Sequence, residues 1–437
     1  MNSDSTKVFN SPDYKRSRKA YMMESAFEYF ITLLVADSFL AKLLSSIGLS
    51  DAMIGVVSSL ISLAFLFQLA AIFVVQRVVN VKRFVVFFHA ISHLIFMSLY
   101  FIPFLPWALP YKEVLVFVCI LAAYFGKYLV NSIFYKWANS FVDPDKRASF
   151  SAGKEMLSLA SGIIMTLLLS HIMDAFEASD NLNGGFVFAA CAILIFNICD
   201  LVSILLIKKD THKKETSTPH SQEKIPFREV MDNTLGNKNF RSVILLAVLW
   251  DVARYTTIGF LGIYRIQELA FTLGTVQIIT IAGNIARLIF SKPFGKYSDK
   301  RSFAKGMELA MILCVIAFAF NVITTPTTRW LVIGYSIFFN VAMAGSNQNM
   351  FSITYSYVDS KYFVQASAIK NSIGGLCGFC ASLLASKLLS FIQENGNTLF
   401  GIPVYGQQVL SLISLVLVVI AIIYTHLVIG KQKVMKQ

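Results

Sequence analysis

Long apolar stretches of roughly 20 to 30 residues alternate along the chain with short polar connections. A bilayer core about 30 Å thick needs about 20 apolar residues per helix, and a helix satisfies its own backbone hydrogen bonds, which hydrocarbon cannot do. The pattern therefore predicts an all-α polytopic membrane protein with twelve transmembrane helices. Their expected ranges are 21–46, 51–75, 83–105, 112–138, 150–173, 185–207, 240–264, 272–294, 303–325, 329–356, 363–391 and 405–430.

One long polar stretch, 208–239, separates the first six spans from the last six. It contains the sequence K-K-D-T-H-K-K-E-T-S-T-P-H-S, a composition typical of a solvated, partly disordered linker. A regulatory site there is an alternative reading. The expected organisation is a tail at 1–20, a six-helix bundle at 21–207, this linker, a second six-helix bundle at 240–430 and a tail at 431–437.

An internal repeat supports the division into halves. Residues 140–170 align without gaps onto 356–386 at an offset of 216, with ten of 31 positions identical. Leucines would recur by chance in apolar sequence, but Asp143 and Lys154 also recur, as Asp359 and Lys370. In transporters such duplication predicts a solute site between the halves, near the membrane midplane.

Basic residues concentrate in the tails and in alternate connections. With the termini placed on the cytoplasmic side, 28 of the 38 Lys and Arg residues fall on that side. Because Lys and Arg are retained in cytoplasmic loops, the count predicts a multi-pass protein of the inner or plasma membrane with both termini cytoplasmic. The same retention accounts for the net charge of +13 without a nucleic-acid partner.

The sequence carries no motif of the common enzyme classes. It has no nucleotide-binding loop of the form G-x-x-x-x-G-K-[ST], no catalytic Ser or Cys elbow and no metal-ligand cluster. Its six cysteines all fall inside apolar segments, which fits neither a disulfide framework nor a zinc site. We therefore predict a protein that is not an enzyme, needs no cofactor or metal, and draws its energy from an ion or solute gradient.

A short polar motif lies between spans eight and nine. The sequence G-K-Y-S-D-K-R-S-F-A-K, from Gly295 to Lys305, resembles the cytoplasmic signature of the major facilitator superfamily, a glycine followed four residues later by aspartate and then by basic residues. Gly295, Asp299 and Arg301 match that signature. With the twelve spans, the central linker and the repeat, the motif makes residues 20–430 similar to this superfamily, in a prokaryotic subgroup without an assigned substrate.

The resemblance implies two pseudo-symmetric six-helix bundles and a cytoplasmic gate. Gly295 would permit a tight turn, and Asp299 would meet the positive N-terminal end of a helix from the other half, which latches the outward-facing state in the superfamily. The equivalent first-half loop, Gln76–Arg83, has neither the Gly nor the Asp. Span five lacks the Gly-Pro-rich element of drug and proton antiporters, and the first-half motifs of sugar porters are not evident.

Ionisable residues inside the predicted spans are the first candidates for function, because each costs about 2.5 to 3.5 kcal/mol at mid-membrane. Span one carries Glu28 and Asp37, and span seven carries Asp251 and Arg254. Asp37 and Asp251 are expected at similar depth on helices that line the cavity in the superfamily, where a desolvated carboxylate can bind and release a proton. The alternative is a structural pair in which one carboxylate neutralises Arg254.

Three further spans carry polar side chains on one helix face. They are Tyr124, Lys127 and Asn131 on span four, Asn284 and Arg287 on span eight, and Asn340 and Asn347 on span ten. These faces predict a cavity lined with amide and cationic donors, suited to hydroxyl-rich or anionic solutes. Hydrogen bonding between helices is the alternative for the asparagines.

Two histidines, His89 and His93, lie one turn apart on span three. That spacing could bind a metal ion or relay protons. Without neighbouring carboxylates or cysteines, helix packing is the favoured interpretation.

Together these features favour a secondary active transporter that imports a polar organic solute, such as a sugar, glycoside or related metabolite, with protons by alternating access. The expected substrate or coupling residues are Asp37, Lys127, Asn131, Asp251, Arg254, Asn284, Arg287 and Asn347, and the expected gate is Gly295, Asp299 and Arg301. The expected partners are the solute, the proton and the lipid bilayer, and the chain is expected to be monomeric. The alternatives are an exporter of amphipathic compounds or a lipid flippase, and a membrane sensor or scaffold that binds a ligand without moving it.

Overall fold

The computed structural model describes residues 11–75, 78, 80–138, 141–142, 147–208, 227–359 and 362–431, and this part of the chain is almost entirely helical. A small hairpin of β1 (Thr398–Leu399) and β2 (Ile402–Pro403) precedes the last helix. The helices are α1 (Pro12–Leu34), α2 (Asp37–Ile47), α3 (Asp51–Ser58), α4 (Leu60–Ala64), α5 (Phe67–Val75), α6 (Val81–Ser98), α7 (Leu109–Ala138), α8 (Arg147–Ala178), α9 (Leu182–Leu206), α10 (Phe227–Thr234), α11 (Lys238–Tyr255), α12 (Ile258–Gln267), α13 (Leu273–Lys300), α14 (Phe303–Val322), α15 (Val332–Tyr357), α16 (Phe363–Glu394) and α17 (Gly406–Leu427).

Eleven stretches of the described chain are long and apolar enough to cross a membrane. They correspond in order to predicted spans one to nine, eleven and twelve. Predicted span ten lies on α15, which is 26 residues long but carries polar side chains, Asn340 and Asn347 among them, that lower its mean hydropathy. The predicted all-α polytopic fold is confirmed.

Several predicted features fall wholly or partly outside the described residues. These are the start of the N-terminal tail (1–10), most of the first-half loop at 76–79, the centre of the linker (209–226) and the C-terminal tail (432–437). The described neighbours of two of them are more helical than predicted. Helix α1 begins at Pro12, inside the predicted tail, and α10 lies inside the predicted linker.

The chain forms two compact units. The first comprises residues 1–47 and 70–224, and the second comprises 48–69 and 225–437. Helices α3 and α4 therefore belong to the second unit although they precede the linker. Polarity along the chain predicts a boundary at the linker alone, because it contains no information on which bundle a short apolar segment contacts.

In the first unit, α1 packs against α8 and α9, α9 against α6, and α6 against α7. Aromatic side chains fill one end of this bundle, where Tyr21 meets the ring edges of Phe134 and Phe141 at centroid distances of 5.1 and 6.1 Å. Lys82 caps the end of α9, since its ammonium group donates to the carbonyl oxygens of Leu205 and Ile207 at 2.6 and 2.7 Å. A cation there complements the negative end of the helix dipole.

In the second unit, α15 packs against α13 and α14, and α11 and α17 complete the core with α16. Helix α12 crosses α3 with almost no space between the backbones. A Cβ atom on Gly259 would lie 2.5 Å from the carbonyl oxygen of Gly55, and one on Gly55 would overlap the ring of Phe260. Only glycine permits this separation, so these two positions set how closely α3 and α12 approach.

Predicted spans one and seven are each broken once. The break in span one separates α1 from α2, and Asp37 begins α2 with φ of +46°, a conformation that Asp tolerates better than most residues. Tyr100 donates its hydroxyl hydrogen to the carbonyl oxygen of Leu34 at 2.6 Å. That bond satisfies a backbone group freed by the break, as a low-dielectric environment requires.

Candidate functional site

The first helix and the fourth predicted span meet in a half-buried ion pair within the first unit. The ammonium nitrogen of Lys127 on α7 lies 3.2 Å from Oε1 of Glu28 on α1 and donates to the hydroxyl of Thr32 at 3.0 Å. Both charged side chains are half-buried. Lys127, a predicted substrate cation, thus already has a carboxylate partner in its own unit.

The two other polar residues predicted on this face of span four, Tyr124 and Asn131, differ in their exposure. Tyr124 is buried, with its ring against Phe96 at 5.3 Å and Tyr128 at 6.0 Å, so it serves packing. Asn131 is exposed, and its contact with a solute stays a prediction.

The second unit contains a corresponding pair on α11. Arg254 donates from Nη2 to Oδ1 of Asp251, one turn earlier, at 2.8 Å. The guanidinium group also lies over the rings of Tyr255 and Trp250, 4.9 and 5.8 Å from their centroids. The sequence-based alternative of a structural pair therefore has a geometric basis in Asp251 and Arg254, and the aromatic rings fix the orientation of the arginine.

The duplicated lysine lies near a carboxylate of α1 in the first unit and of α11 in the second. In the second unit, Lys370 on α16 is buried, donates to the hydroxyl of Thr354 at 3.2 Å and interacts electrostatically with Asp251. In the first unit, Lys154 on α8 donates to the hydroxyl of Tyr21 at 3.2 Å and interacts electrostatically with Glu24. The two lysines that recur in the sequence repeat therefore each interact with a carboxylate on a neighbouring helix.

The two aspartates predicted as counterparts, Asp37 and Asp251, occupy different positions relative to the helix breaks. Asp251 lies four residues before the end of α11, whereas Asp37 follows the break after α1 and is exposed. Glu28, six residues before the end of α1, is the nearer counterpart of Asp251. Residue type suggested Asp37, but the break in the backbone, which the sequence does not reveal, makes Glu28 the equivalent carboxylate.

Helices α13 and α15 carry the remaining predicted polar residues. Asn340 donates to the carbonyl oxygen of Ser336 at 2.8 Å, and a Cβ on Gly283 would lie 2.4 Å from its Nδ2, so Asn340 belongs to the contact between the two helices. Asn284 and Arg287 are half-buried on α13, and Asn347 is exposed on α15. A role of these three residues in solute contact stays a prediction.

The predicted gate residues lie at the end of α13. Gly295 was expected in a turn but lies within the helix, which continues to Lys300 and ends at Arg301. Asp299 and Arg301 are exposed. The expected turn is therefore displaced to Arg301 and Ser302, because nothing in the run from Gly295 to Lys300 interrupts the helical hydrogen bonds.

Replacement of Gly295 by Ala is expected to leave stability unchanged or to raise it by up to about 1 kcal/mol, the usual preference of a helix interior for alanine. The new Cβ would meet only Oε1 of Gln348, at an ordinary 3.5 Å. Unfolding of the purified variant in detergent, compared with the parent, measures this. A clear loss of stability would contradict the packing, whereas reduced uptake at unchanged stability would support a gating role.

A buried polar cluster joins α6 to α9 in the first unit. Nδ1 of His89 lies 3.1 Å from Oδ2 of Asp200, and Nδ1 of His93 lies 3.1 Å from Oδ1 of Asn197 and 3.8 Å from Oδ2 of Asp200. The inference that no carboxylate neighbours the histidines is wrong, because Asp200 comes from another helix. The spacing of Asn197 and Asp200, one turn apart within an apolar helix, was the available signal. Among the described residues, this cluster has the composition and spacing to hold a metal ion.

A polar cavity in the second unit contains two carboxyl groups. Its lining includes Asp51, Tyr264, Glu268, Gln393 and Tyr405. Gln393 donates to Oδ2 of Asp51 at 2.9 Å, and Glu268 lies between the predicted spans. Burial, and next the charge of Asp51, raise the pKa of Glu268. No prediction from the sequence concerned this site, because Asp51, Glu268 and Gln393 come from three distant segments.

Comparisons with known proteins agree with the helical architecture. A family model described as the Major Facilitator Superfamily matches residues 20–382. The solved structure of the nucleoside transporter NupG matches with a TM-score of 0.71 and 14% identity over 95% of this chain and 100% of its own. No curated protein sequence matches the chain significantly.

Two further solved structures are similar over almost the whole chain. A bacterial homologue of the human lysosomal transporter Spinster matches with a TM-score of 0.70 and 13% identity, covering 97% of this chain and 99% of its own. The D-xylose–proton symporter matches with a TM-score of 0.67 and 12% identity, covering 95% and 98%. At such low identities these likenesses show the fold, while the substrates remain those of the other proteins.

Proposed function

Because the chain belongs to the Major Facilitator Superfamily and is a transporter rather than an enzyme, we propose that it imports a small polar organic solute by alternating access, coupled to protons. The observation that carries this proposal is the pair of Asp251 and Arg254 on α11, with Lys370 beside it. A carboxylate held by cations in a dehydrated site offers two exclusive states, ion-paired or protonated. Exchange between them is the chemistry that proton coupling needs.

The exchange has a defined consequence for Arg254. Protonation of Asp251 removes the negative charge that holds the guanidinium group, which leaves its N–H groups available to a hydroxyl or anionic group of a solute. The rings of Trp250 and Tyr255 keep the guanidinium in place while its partner changes. Proton binding and solute binding would then favour each other, as symport requires.

The polar side chains predicted to contact the solute favour a hydroxyl-rich molecule. Asn131 and Asn347 are exposed, and Asn284 and Arg287 are half-buried; amides and guanidinium groups are good partners for sugar hydroxyls. The neighbours that transport nucleosides and D-xylose support the choice of a sugar, glycoside or related metabolite. We further propose a monomer in the cell membrane with both termini cytoplasmic, as the basic residues predict.

Uptake into proteoliposomes tests the proposal. The purified protein would be offered radiolabelled D-xylose, glucose, uridine and adenosine, with and without a pH gradient that is acidic outside. We expect one of these solutes to accumulate only with the gradient, and its entry to be accompanied by proton uptake. Accumulation that ignores the gradient would remove the coupling, and no flux of any tested solute would contradict the substrate class.

Single substitutions test which carboxylate couples solute entry to proton movement. Asp251→Asn is expected to abolish gradient-driven accumulation while it retains exchange of labelled for unlabelled solute, because exchange needs no net proton movement. Asp37→Asn tests the other predicted carboxylate in the same assay. Asp232→Asn, at an exposed position on α10, is the matched control. Equal accumulation by all three variants would exclude Asp251 and Asp37 from coupling.

A further inference from the structure

The polar cluster between α6 and α9 consists of His89, His93, Asn197 and Asp200, and it takes no part in the proposed transport chemistry. Each of its side chains is almost completely buried, with 6% of His89, 3% of His93 and none of Asp200 exposed. Burial of so many polar atoms in an apolar bundle is costly unless each has a partner. The burial of these four polar side chains therefore needs an interaction that offsets its cost.

One atom of the cluster lacks a partner. Oδ1 of Asp200 is buried and accepts no hydrogen bond, although Oδ2 of the same carboxylate contacts His89. A carboxylate oxygen left without a donor in a protein interior costs on the order of 1 to 3 kcal/mol or more. A positively charged ligand would stabilise an unpaired carboxylate oxygen beside two imidazole rings.

The spacing of the donor atoms suits a metal ion. One ligand atom each from His89, His93 and Asp200 lie within 4.8 Å of one another, and the shorter separations are 3.1 and 3.8 Å. Ligands about 2.0 to 2.2 Å from a tetrahedral zinc ion lie about 3.3 to 3.6 Å apart. Small side-chain rotations would bring the three atoms to that geometry without movement of the helices.

We propose that His89, His93 and Asp200 bind a divalent transition-metal ion of the zinc class. Two histidines at i and i+4 present their rings on one side of a helix, and a carboxylate from a facing helix supplies the third ligand; imidazole nitrogen with carboxylate oxygen is a common zinc ligand set. Asn197, one turn before Asp200, holds its amide oxygen 3.1 Å from the same Nδ1 of His93, which would place a fourth donor atom beside the ion.

The charges around the cluster also favour a divalent cation. Glu24 on α1 is 2% exposed and interacts electrostatically with Asp200, so two carboxylates lie close together in a dehydrated region. Of the other charges near Glu24, Lys154 interacts with it electrostatically, whereas Glu28 and Lys127 form a pair with each other. A divalent ion on two neutral imidazoles would supply positive charge beside the carboxylate of Asp200, whose direct contacts are with imidazole rings.

The ion would tie α6 to α9 inside the first unit. Both helices already pack together, and a bound metal adds its binding free energy to the folded state alone. The site therefore acts on the stability of this bundle and stands apart from the carboxylates proposed for coupling. The metal-binding proposal can fail its test while the proposed transport function stands. The transport proposal can likewise fail while the metal site stands.

Metal titration of the full-length protein tests the site. The affinity tag would be removed, the protein stripped with a chelator, and Zn²⁺ added in a calorimeter and in a thermal-unfolding assay. We expect one high-affinity ion per chain and a higher melting temperature in its presence. His89→Ala and Asp200→Asn should each weaken binding by more than about tenfold, since loss of outer-shell partners alone costs that much.

Matched controls use the histidines outside the cluster. His171→Ala, at an exposed position on α8, and the linker double variant His212→Ala/His220→Ala should bind Zn²⁺ as the parent does. Binding that survives in His89→Ala and Asp200→Asn, or that disappears in the linker variant, would show adventitious association only and overturn the proposal. Absence of any tight binding would overturn it as well.

A measurement on the unmodified protein keeps the proposal testable if the variants do not fold. Co²⁺ added to the stripped protein should give the intense visible absorption of a four-coordinate ion, and X-ray absorption of the Zn²⁺-loaded protein should show two imidazole ligands. A weak six-coordinate Co²⁺ spectrum, or a zinc environment without imidazole, would overturn the assignment.

Discussion

Replacing Arg254 by Gln is expected to lower the free energy of unfolding by about 3 kcal/mol, the usual cost of removing one partner from a buried ion pair, and to abolish gradient-driven uptake. Asp251 would keep its burial but lose the donor at 2.8 Å, which leaves only the electrostatic attraction of Lys370 to offset its charge. Denaturant titration in micelles and the proteoliposome assay measure the two effects.

The double variant Asp251→Asn/Arg254→Gln is the informative companion, because it removes both charges together. Most of the lost stability should return, since breaking a pair costs more than deleting it, whereas coupled uptake should remain absent. Arg241→Gln, at an exposed position on the same helix, controls for loss of a cation and should behave like the parent. A double variant no more stable than Arg254→Gln would mean that the arginine stabilises α11 through its aromatic contacts rather than through Asp251.

Replacing Gly259 by Ala is expected to destabilise the second unit by about 2 to 3 kcal/mol, the upper part of the range for overpacking. Its Cβ would meet the hydroxyl of Ser59 at 2.3 Å and the carbonyl oxygen of Gly55 at 2.5 Å. The hydroxyl can rotate away, but the carbonyl oxygen belongs to a helix backbone and cannot. Helices α3 and α12 must therefore separate, and unfolding in detergent would register the lost packing.

Two comparison variants isolate the cause. Ser59→Gly in the Gly259→Ala background should restore little, because the backbone oxygen of Gly55 remains in place. Gly295→Ala makes the same chemical change in a helix with open space and should cost nothing. Equal stability of Gly259→Ala and Gly295→Ala would contradict the close crossing of α3 and α12.

Three charged contacts share one feature, which is that both partners lie in the same unit. The contacts are Lys127 with Glu28, Arg254 with Asp251, and His89 with Asp200. Since an isolated charge at mid-membrane is costly, local pairing lets each unit bury its charges without help from the other. Functional use of such a pair then requires only a change of partner.

The sequence by itself determined where the helices lie and how several of them begin. Apolar length set the spans, and polar residues ahead of them supply caps, as where Ser50 accepts from the backbone of Met53 and Thr272 from that of Thr275. The repeat identified Lys154 and Lys370 as a matched pair. These features depend on residues near one another in the chain, or on comparison of the chain with itself, and both are visible without a structure.

Only the tertiary structure decided which distant residues meet. Asp200 joins His89 across 111 positions of the chain and also approaches His93, and Glu28 replaces Asp37 as the counterpart of Asp251 because the backbone breaks after Leu34. Helices α3 and α4 likewise joined the second unit. Hydropathy reports how well a segment tolerates the membrane, whereas partner choice depends on helix direction, crossing distance and side-chain reach, and those are properties of the packed bundle.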